Sequence, residues 1–204
     1  MPGSTASSLS EKQELRTQVL APRDALSASQ RASLSTTITT RVLALSPYQA
    51  ARCVMAYSSI GSEFETASFV ADVRGKGKTL VLPRAPRGGR MLELYAVRDP
   101  ERDLAPGVWG IREPRADLCR AVIPEEIDFV LVPGVAFTAR CERLGYGKGF
   151  YDRLIGAFRE RPALVAAAFA LQIVPEMPMS STDQHVDMVI TEDATYTRFT
   201  KSEA

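Results

Sequence analysis

Apolar positions recur along this chain first at helical and then at strand spacing. Ser10 followed by Gln13 has the form of a capping box, and Leu15 and Val19 follow four apart, which predicts a helix from about Glu11 to the region of Pro22. Ser27 and Gln30 repeat the capping signal. Leu34, Ile38, Val42 and Leu45 then make an apolar stripe, so a second helix is expected to end near Ser46-Pro47. Beyond it short apolar runs take over. Arg52–Tyr57, Thr79–Leu82, Met91–Val97, Phe129–Val132, Leu164–Phe169 and Met188–Ile190 read as strands, and Thr66–Val73 and Phe150–Arg159 as helices. The run FVLV, bounded by Asp128 and Pro133-Gly134, suits a buried parallel strand.

Strands alternating with helices predict an α/β fold: an open, mostly parallel sheet with flanking helices, preceded by an N-terminal helical pair. In such sheets ligands collect in loops beyond the carboxyl ends of the strands. The small, polar start MPGSTASSLS is expected to leave residues 1–9 as a disordered tail, with residues 10–204 forming a single domain.

Composition narrows the function more than the fold. The net charge of +1 gives no general drive toward nucleic acid or an anionic membrane, so any anion site must be local. No window approaches the roughly 18 uninterrupted apolar residues of a membrane span. Three cysteines (Cys53, Cys119, Cys141) cannot all pair within the chain and lack metal-ligand spacing. That favours a reducing, cytoplasmic setting and argues against zinc.

The chemistry concentrates in RLGYGKGFYD, Arg143 to Asp152. Glycines stand at every second position (Gly145, Gly147, Gly149), with the cations Arg143 and Lys148 beside them and Asp152 at the start of a predicted helix. Glycines let backbone amides close on a ligand, and consecutive amides with a helix N-terminus form an anion nest. Two cations suit phosphate, and the aspartate suits Mg²⁺ carried with a nucleotide. The loop is not a Walker loop, because Gly149 follows Lys148 where Ser or Thr would reach the metal. It is not the Gly-x-Gly-x-x-Gly pattern either, since Phe150 stands where the third glycine belongs. A glycine-rich surface turn is the competing reading; the density of charge and aromatics argues against it.

Elsewhere the residues alone favour ordinary roles. His185 is the single histidine and has no partner pattern for acid–base or nucleophilic work. Cys141 has no candidate base in view. Asp183 and Asp187 could complete a magnesium site with Asp152, but each alone reads as a solvated or turn-forming aspartate. Lys12 and Arg16 share a helical face that spacing alone assigns to solvent. Glu63 and Glu65 point to opposite sides if the chain between them is extended, or they mark the start of the next helix.

Taken together, KQELR (Lys12–Arg16), YSSIGSEFET, LPR (Leu82–Arg84), GIREP (Gly110–Pro114), VPGVAF (Val132–Phe137), RLGYGKGFYD and DQHVDMVITED resemble, in this order, the 5-formyltetrahydrofolate cyclo-ligase (methenyltetrahydrofolate synthetase) family. The similarity runs from about Glu11 to Asp193. It implies a sheet related to the phosphosugar isomerases and CoA transferases. It also implies ATP- and Mg²⁺-dependent closure of 5-formyltetrahydrofolate, polyglutamylated or not, to 5,10-methenyltetrahydrofolate, in a monomer that uses neither nucleic acid nor membrane. By the same resemblance Lys12, Gln13, Glu14, Leu15 and Arg16 contact ATP, as do Arg143, Leu144, Gly145, Tyr146, Gly147, Lys148, Gly149, Phe150 and Tyr151. Lys148, Arg143 and Tyr151 carry the reaction, and Ile60, Glu65 and the stretch Tyr146–Phe150 line the folate pocket. Asp152 and Asp183 hold magnesium. The chain departs from the family pattern at Thr138, Cys141, Phe150 and Arg112. An ATP-dependent phosphotransferase acting on another small metabolite and a non-catalytic folate-binding module are the alternatives.

Overall fold

The computed structural model describes residues 4–86, 88–107 and 110–198. Helix α1 spans Ser4–Asp24, α2 Ala28–Leu43 and α3 Ser46–Ala50. Ser27 caps α2 through a reciprocal box: its hydroxyl accepts from the Gln30 amide (3.2 Å), and the Gln30 side chain accepts from the Ser27 amide (2.9 Å). The same pattern at Ser10–Gln13 caps nothing, because α1 already begins at Ser4. There the Ser10 hydroxyl donates to Glu14 within the helix at 3.1 Å. Of the tail expected over residues 1–9, residues 1–3 lie outside the described residues and the backbone of the rest forms the first turns of α1. Pro22 does not end the helix, which runs two residues past it.

The sheet has eight strands in the order β12-β11-β10-β7-β1-β2-β3-β6. These are β1 Cys53–Met55, β2 Thr79–Arg84, β3 Glu93–Ala96, β6 Arg120–Ala121, β7 Phe129–Leu131, β10 Ala163–Ala167, β11 Met188–Ile190 and β12 Thr195–Thr197. The five central strands, β2 to β11, run parallel, and β3, β6 and β12 add antiparallel margins. Two small hairpins stand apart: β4 Leu104–Pro106 with β5 Arg112–Pro114, and β8 Ala136–Phe137 with β9 Arg143–Leu144. The remaining helices are α4 Ala67–Gly75, α5 Pro100–Asp103 and α6 Phe150–Ala157.

Both faces of the central strands are buried, which is why they read as unbroken apolar runs rather than as alternations. On one face Val54, Leu80, Phe129, Leu131 and Val165 pack with Ile38 and Val42 of α2, Tyr48 of α3 and Phe69 of α4. Tyr48, Phe69 and Phe129 form an aromatic cluster there, with centroids 5.2–6.2 Å apart. On the other face Met55, Val81, Val130, Leu164 and Val189 pack with Leu154 and Ile155 of α6. A third cluster joins Val19 and Leu15 of α1 to Ala136 and Leu144 of the β8–β9 hairpin. Helix α1 is thereby laid across the base of the glycine loop.

Among the described residues no helix is long and apolar enough to cross a membrane.

Candidate active site

The chain leaves β1 toward β2 on one side, and β7 lies on the other. Loops after β1 and β7 therefore diverge at a topological switch point, where open α/β sheets bind ligands. A cavity of about 310 Å³ opens there. Tyr57, Ser58, Ile60 and Glu63 reach it from the loop after β1, and Pro133 from the end of β7. Pro83 enters it from β2, past Val81, the last residue of that strand to pair with β1. Gly145, Tyr146 and Lys148–Asp152 of the glycine loop supply much of the rest of the lining; Gly147, expected among the pocket residues, does not line it.

The three glycines do different work. Gly147 (φ 93°) and Gly149 (φ 65°) hold left-handed backbone, and Gly149 is the N-cap of α6. Gly145 does not: what it supplies is room, since a Cβ there would sit 2.8 Å from the Arg143 guanidinium. The Gly145 carbonyl accepts from Arg16 Nε at 2.8 Å, and the same guanidinium lies 3.4 Å from where a Gly147 Cβ would stand. Arg16 is thus folded against the loop, where spacing alone put it in solvent.

Arg143 is buried. Its Nη2 donates to Asp152 Oδ1 at 2.6 Å and its Nη1 to the Pro133 carbonyl at 3.3 Å, while its Nε has no partner among the described residues. The Tyr151 hydroxyl is likewise enclosed without a partner. Burial and the facing Glu63 carboxylate push its ionisation upward, so it stays a phenol able to donate. Lys148 is exposed at the cavity wall and forms no ion pair among the described residues. Phe150 lines the cavity with Tyr146.

Lys12 is also buried, and its ammonium meets Asp183 Oδ2 at 2.5 Å. Burial pushes the Asp183 carboxyl up, but Lys12 and the Ser180 amide outweigh it, and the net shift is downward. The Gln184 amide donates to Asp152 Oδ1 at 3.1 Å, which ties the backbone next to Asp183 to the other carboxylate expected to hold magnesium. Asp187 is not with them. It accepts from the Leu164 amide at 2.8 Å and faces Arg161, tying the approach to β11 onto β10. Gln13 and Glu14 are exposed, and Leu15 turns its side chain toward the third cluster.

Ile60 lines the cavity but Glu65 does not; Glu63 takes the place expected of it. The Glu65 amide donates to Ser35 on α2, whereas Glu63 folds back to accept from the Ile60 amide at 2.9 Å and stands in the cavity wall. Two residues apart, the acids do face different environments, but a turn at Gly61 (φ 56°) decides which faces inward. Burial pushes the Glu63 carboxyl up, opposed by the Tyr146 hydroxyl, the Ile60 amide and Arg23. Ser58, in YSSIGSEFET, and Glu113, in GIREP, also line the cavity, although neither is among the residues expected in the folate pocket.

His185 lies outside the cavity lining, its Nδ1 enclosed and unpartnered among the described residues. All three cysteines are buried and free, and burial pushes the Cys53 and Cys141 thiols up to about 11, which leaves neither as a nucleophile. Cys141 (φ 63°) and Thr138 form the turn joining β8 to β9, the Cys141 amide donating to the Thr138 carbonyl at 2.9 Å. Arg112 is exposed and paired with Glu101.

A cation-flanked glycine loop closing a cavity at the sheet's switch point defines an α/β enzyme. The sequence profile of the 5-formyltetrahydrofolate cyclo-ligase family matches residues 8–192, and the chain belongs to that family. A mouse 5-formyltetrahydrofolate cyclo-ligase is 31% identical over 193 residues, covering 91% of this chain and 95% of the mouse protein. The solution structure of 5,10-methenyltetrahydrofolate synthetase from Aquifex aeolicus superposes with a TM-score of 0.83 at 33% identity, over 95% of each chain. A synthetase of the same name from Mycoplasma pneumoniae, 22% identical, shares the fold at a TM-score of 0.73 over 89% of this chain and 99% of its own.

Proposed function

We propose that the protein closes 5-formyltetrahydrofolate to 5,10-methenyltetrahydrofolate at the expense of ATP, with Mg²⁺, releasing ADP and phosphate. The observation that carries this reading is that one loop serves two surfaces. Gly145, Tyr146 and Lys148–Tyr151 line the largely apolar cavity, while Gly145 and Gly147 also lie against Arg16. A bound pteridine and a bound triphosphate would then meet at Lys148.

The chemistry needs that meeting. A formyl carbon bound to nitrogen is a poor electrophile. Transfer of the terminal phosphoryl group from ATP to the formyl oxygen, with ADP leaving, turns that oxygen into a leaving group. N10 then attacks the carbon and loses its proton, and the C–O bond breaks to release phosphate. Phosphoryl transfer asks a protein mainly for positioning and charge neutralisation. Lys148, exposed and unpaired at the wall, is the cation suited to the moving phosphoryl group. Arg143 orders the loop through Asp152 and Pro133, and Tyr151, which lines the cavity, keeps a neutral donor hydroxyl enclosed beside it. Glu63 is the acceptor suited to the N–H edge of the pterin.

Magnesium fits these residues. Among the described residues no cluster of three or more ligating side chains exists, and Mg²⁺ commonly takes one or two carboxylates, water and substrate phosphates instead. Asp152 and Asp183, linked through the backbone of Gln184, would hold it. Bound there, the ion would offset charge on the phosphates. A cytoplasmic location fits the three free thiols.

The test is spectrophotometric. Purified protein given 5-formyltetrahydrofolate is expected to form a near-ultraviolet-absorbing product only with ATP and Mg²⁺. Lys148→Ala is expected to lower kcat by at least a hundredfold with an unchanged melting temperature. Absence of turnover by the wild type overturns the reading; wild-type rates in the variant overturn the role of Lys148.

A further inference from the structure

Arg23, at the far end of α1 from Lys12, belongs to no motif in the sequence, yet it is 3% exposed. Its Nε donates to Ser62 Oγ at 2.9 Å, and Ser62 in turn donates to Asp24. Its guanidinium carbon lies 5.9 Å from the Tyr146 ring centroid, and its Nη1 is enclosed with no partner among the described residues. An arginine cannot shed its proton, and a buried charge must be compensated. The Tyr146 hydroxyl faces both Arg23 and the Glu63 carboxylate, so Glu63 joins Asp24, reached through Ser62, as an anion near the buried guanidinium.

We propose that Arg23 is a positioning residue for substrate recognition: from behind the cavity wall it holds the Glu63 carboxylate and the Tyr146 hydroxyl in the arrangement that reads the N–H edge of the bound ring. The inference rests on the cavity being the folate site. Glu63 spends one oxygen on the Ile60 amide at 2.9 Å, and it must be ionised to accept from ring donors with the other. The groups facing it are Arg23 from α1, Tyr57 from the loop after β1, Tyr146 from the glycine loop and Tyr151 from α6. Burial keeps the three tyrosines neutral. Arg143 faces Tyr151 from the other side and is paired with Asp152. Arg23 is therefore the cation that opposes the burial of Glu63. Without it, Glu63 takes up a proton at higher pH and the ring loses its acceptor.

The test compares wild type, the neutral variants Arg23→Gln and Arg23→Met, and Arg23→Lys, with melting curves selecting whichever neutral variant is folded. Binding of 5-formyltetrahydrofolate without nucleotide is measured from pH 5 to 9. The folded neutral variant is expected to bind at least tenfold more weakly at pH 7, with its acid limb displaced to higher pH. Arg23→Lys should restore most of the affinity, and ATP binding should stay within about twofold of wild type. In a Glu63→Gln background the same neutral change should cost less than threefold, an outcome that a purely structural role would not give. An unshifted acid limb, or an equal loss with and without Glu63, overturns the proposal. The titration midpoint of Glu63, followed by its ¹³C carboxyl resonance in the ligand-free protein, decides the matter independently. A higher midpoint in the neutral variant supports the role and an unchanged one overturns it, even if the wild type fails to bind folate and the functional reading itself falls.

Discussion

At the scale of single residues, the site depends on small differences between chemically similar neighbours. Gly145, Gly147 and Gly149 look equivalent in sequence, but one makes space and two hold left-handed backbone. Gly149→Ala would place a Cβ 2.7 Å from Arg153 Nη1, on an arm tied to the Lys148 and Arg90 carbonyls. The left-handed conformation adds about 1–2 kcal/mol for any residue with a Cβ. Stopped assays are expected to show kcat/KM reduced by at least tenfold, with the loss in kcat rather than KM because Lys148 is displaced. Glu63 and Glu65 differ in the same hidden way. The carboxyl of Glu63 is raised above its ordinary 4.5, chiefly by burial, so its ionised form opposes folding. That penalty is absent below pH 4.5 and grows as pH rises from there through the folded value. Glu63→Gln is therefore expected to stabilise the free protein at pH 7 by roughly 0.5–2 kcal/mol while weakening folate binding. Denaturant melts at pH 4 and pH 7 check it, since the gain should vanish at the lower pH.

At the scale of elements, α1 is the strut on which the site is assembled. Near its middle Lys12 reaches Asp183, one turn on Arg16 reaches Gly145, and at its C-terminal end Arg23 reaches Ser62. Asp183 is depressed below its ordinary 3.8, so the stability it contributes is present above pH 3.8 and lost as pH falls through the folded value. The difference in melting temperature between wild type and Asp183→Asn is expected to be level from pH 5 to 7 and to shrink only below pH 4. A difference that closes already near pH 6 would mean the Lys12 contact is absent in solution.

What could be read from sequence follows the range of the interactions concerned. The Ser27–Gln30 box is local, and the helix it predicts forms. Ser10–Gln13 is the same pattern, but whether it caps depends on upstream residues, and those are helical. The central strands were legible because burial on both faces leaves apolar runs. The two-residue strands β6, β8 and β9 are too short to carry any period. Alternation says that Glu63 and Glu65 part, not which one lines the cavity; the resemblance points to Glu65, and the turn at Gly61 brings Glu63 there instead. Arg23 carries no local signal at all; only the packing of α1 on the loop after β1 gives it a role.

At the scale of the molecule, the proposed nucleotide and folate sites share one loop, so ligands that bind the folded state should report on each other through stability. ATP with Mg²⁺ at about 100 times its Kd adds about 2.7 kcal/mol, or roughly 5–10 °C in a chain of this size. Differential scanning fluorimetry is expected to show that shift and to show it halved or less in Lys12→Ala and Arg16→Ala. An unaltered shift in both would remove α1 from the nucleotide site.

The bond between Lys12 and Asp183 joins residues 171 positions apart. A nascent chain emerging from the ribosome thus holds its helix, its loop and most of its sheet before it can close the clasp that completes them. Fragments from premature termination before residue 183 lack the second half of that clasp and, with it, strands β11 and β12.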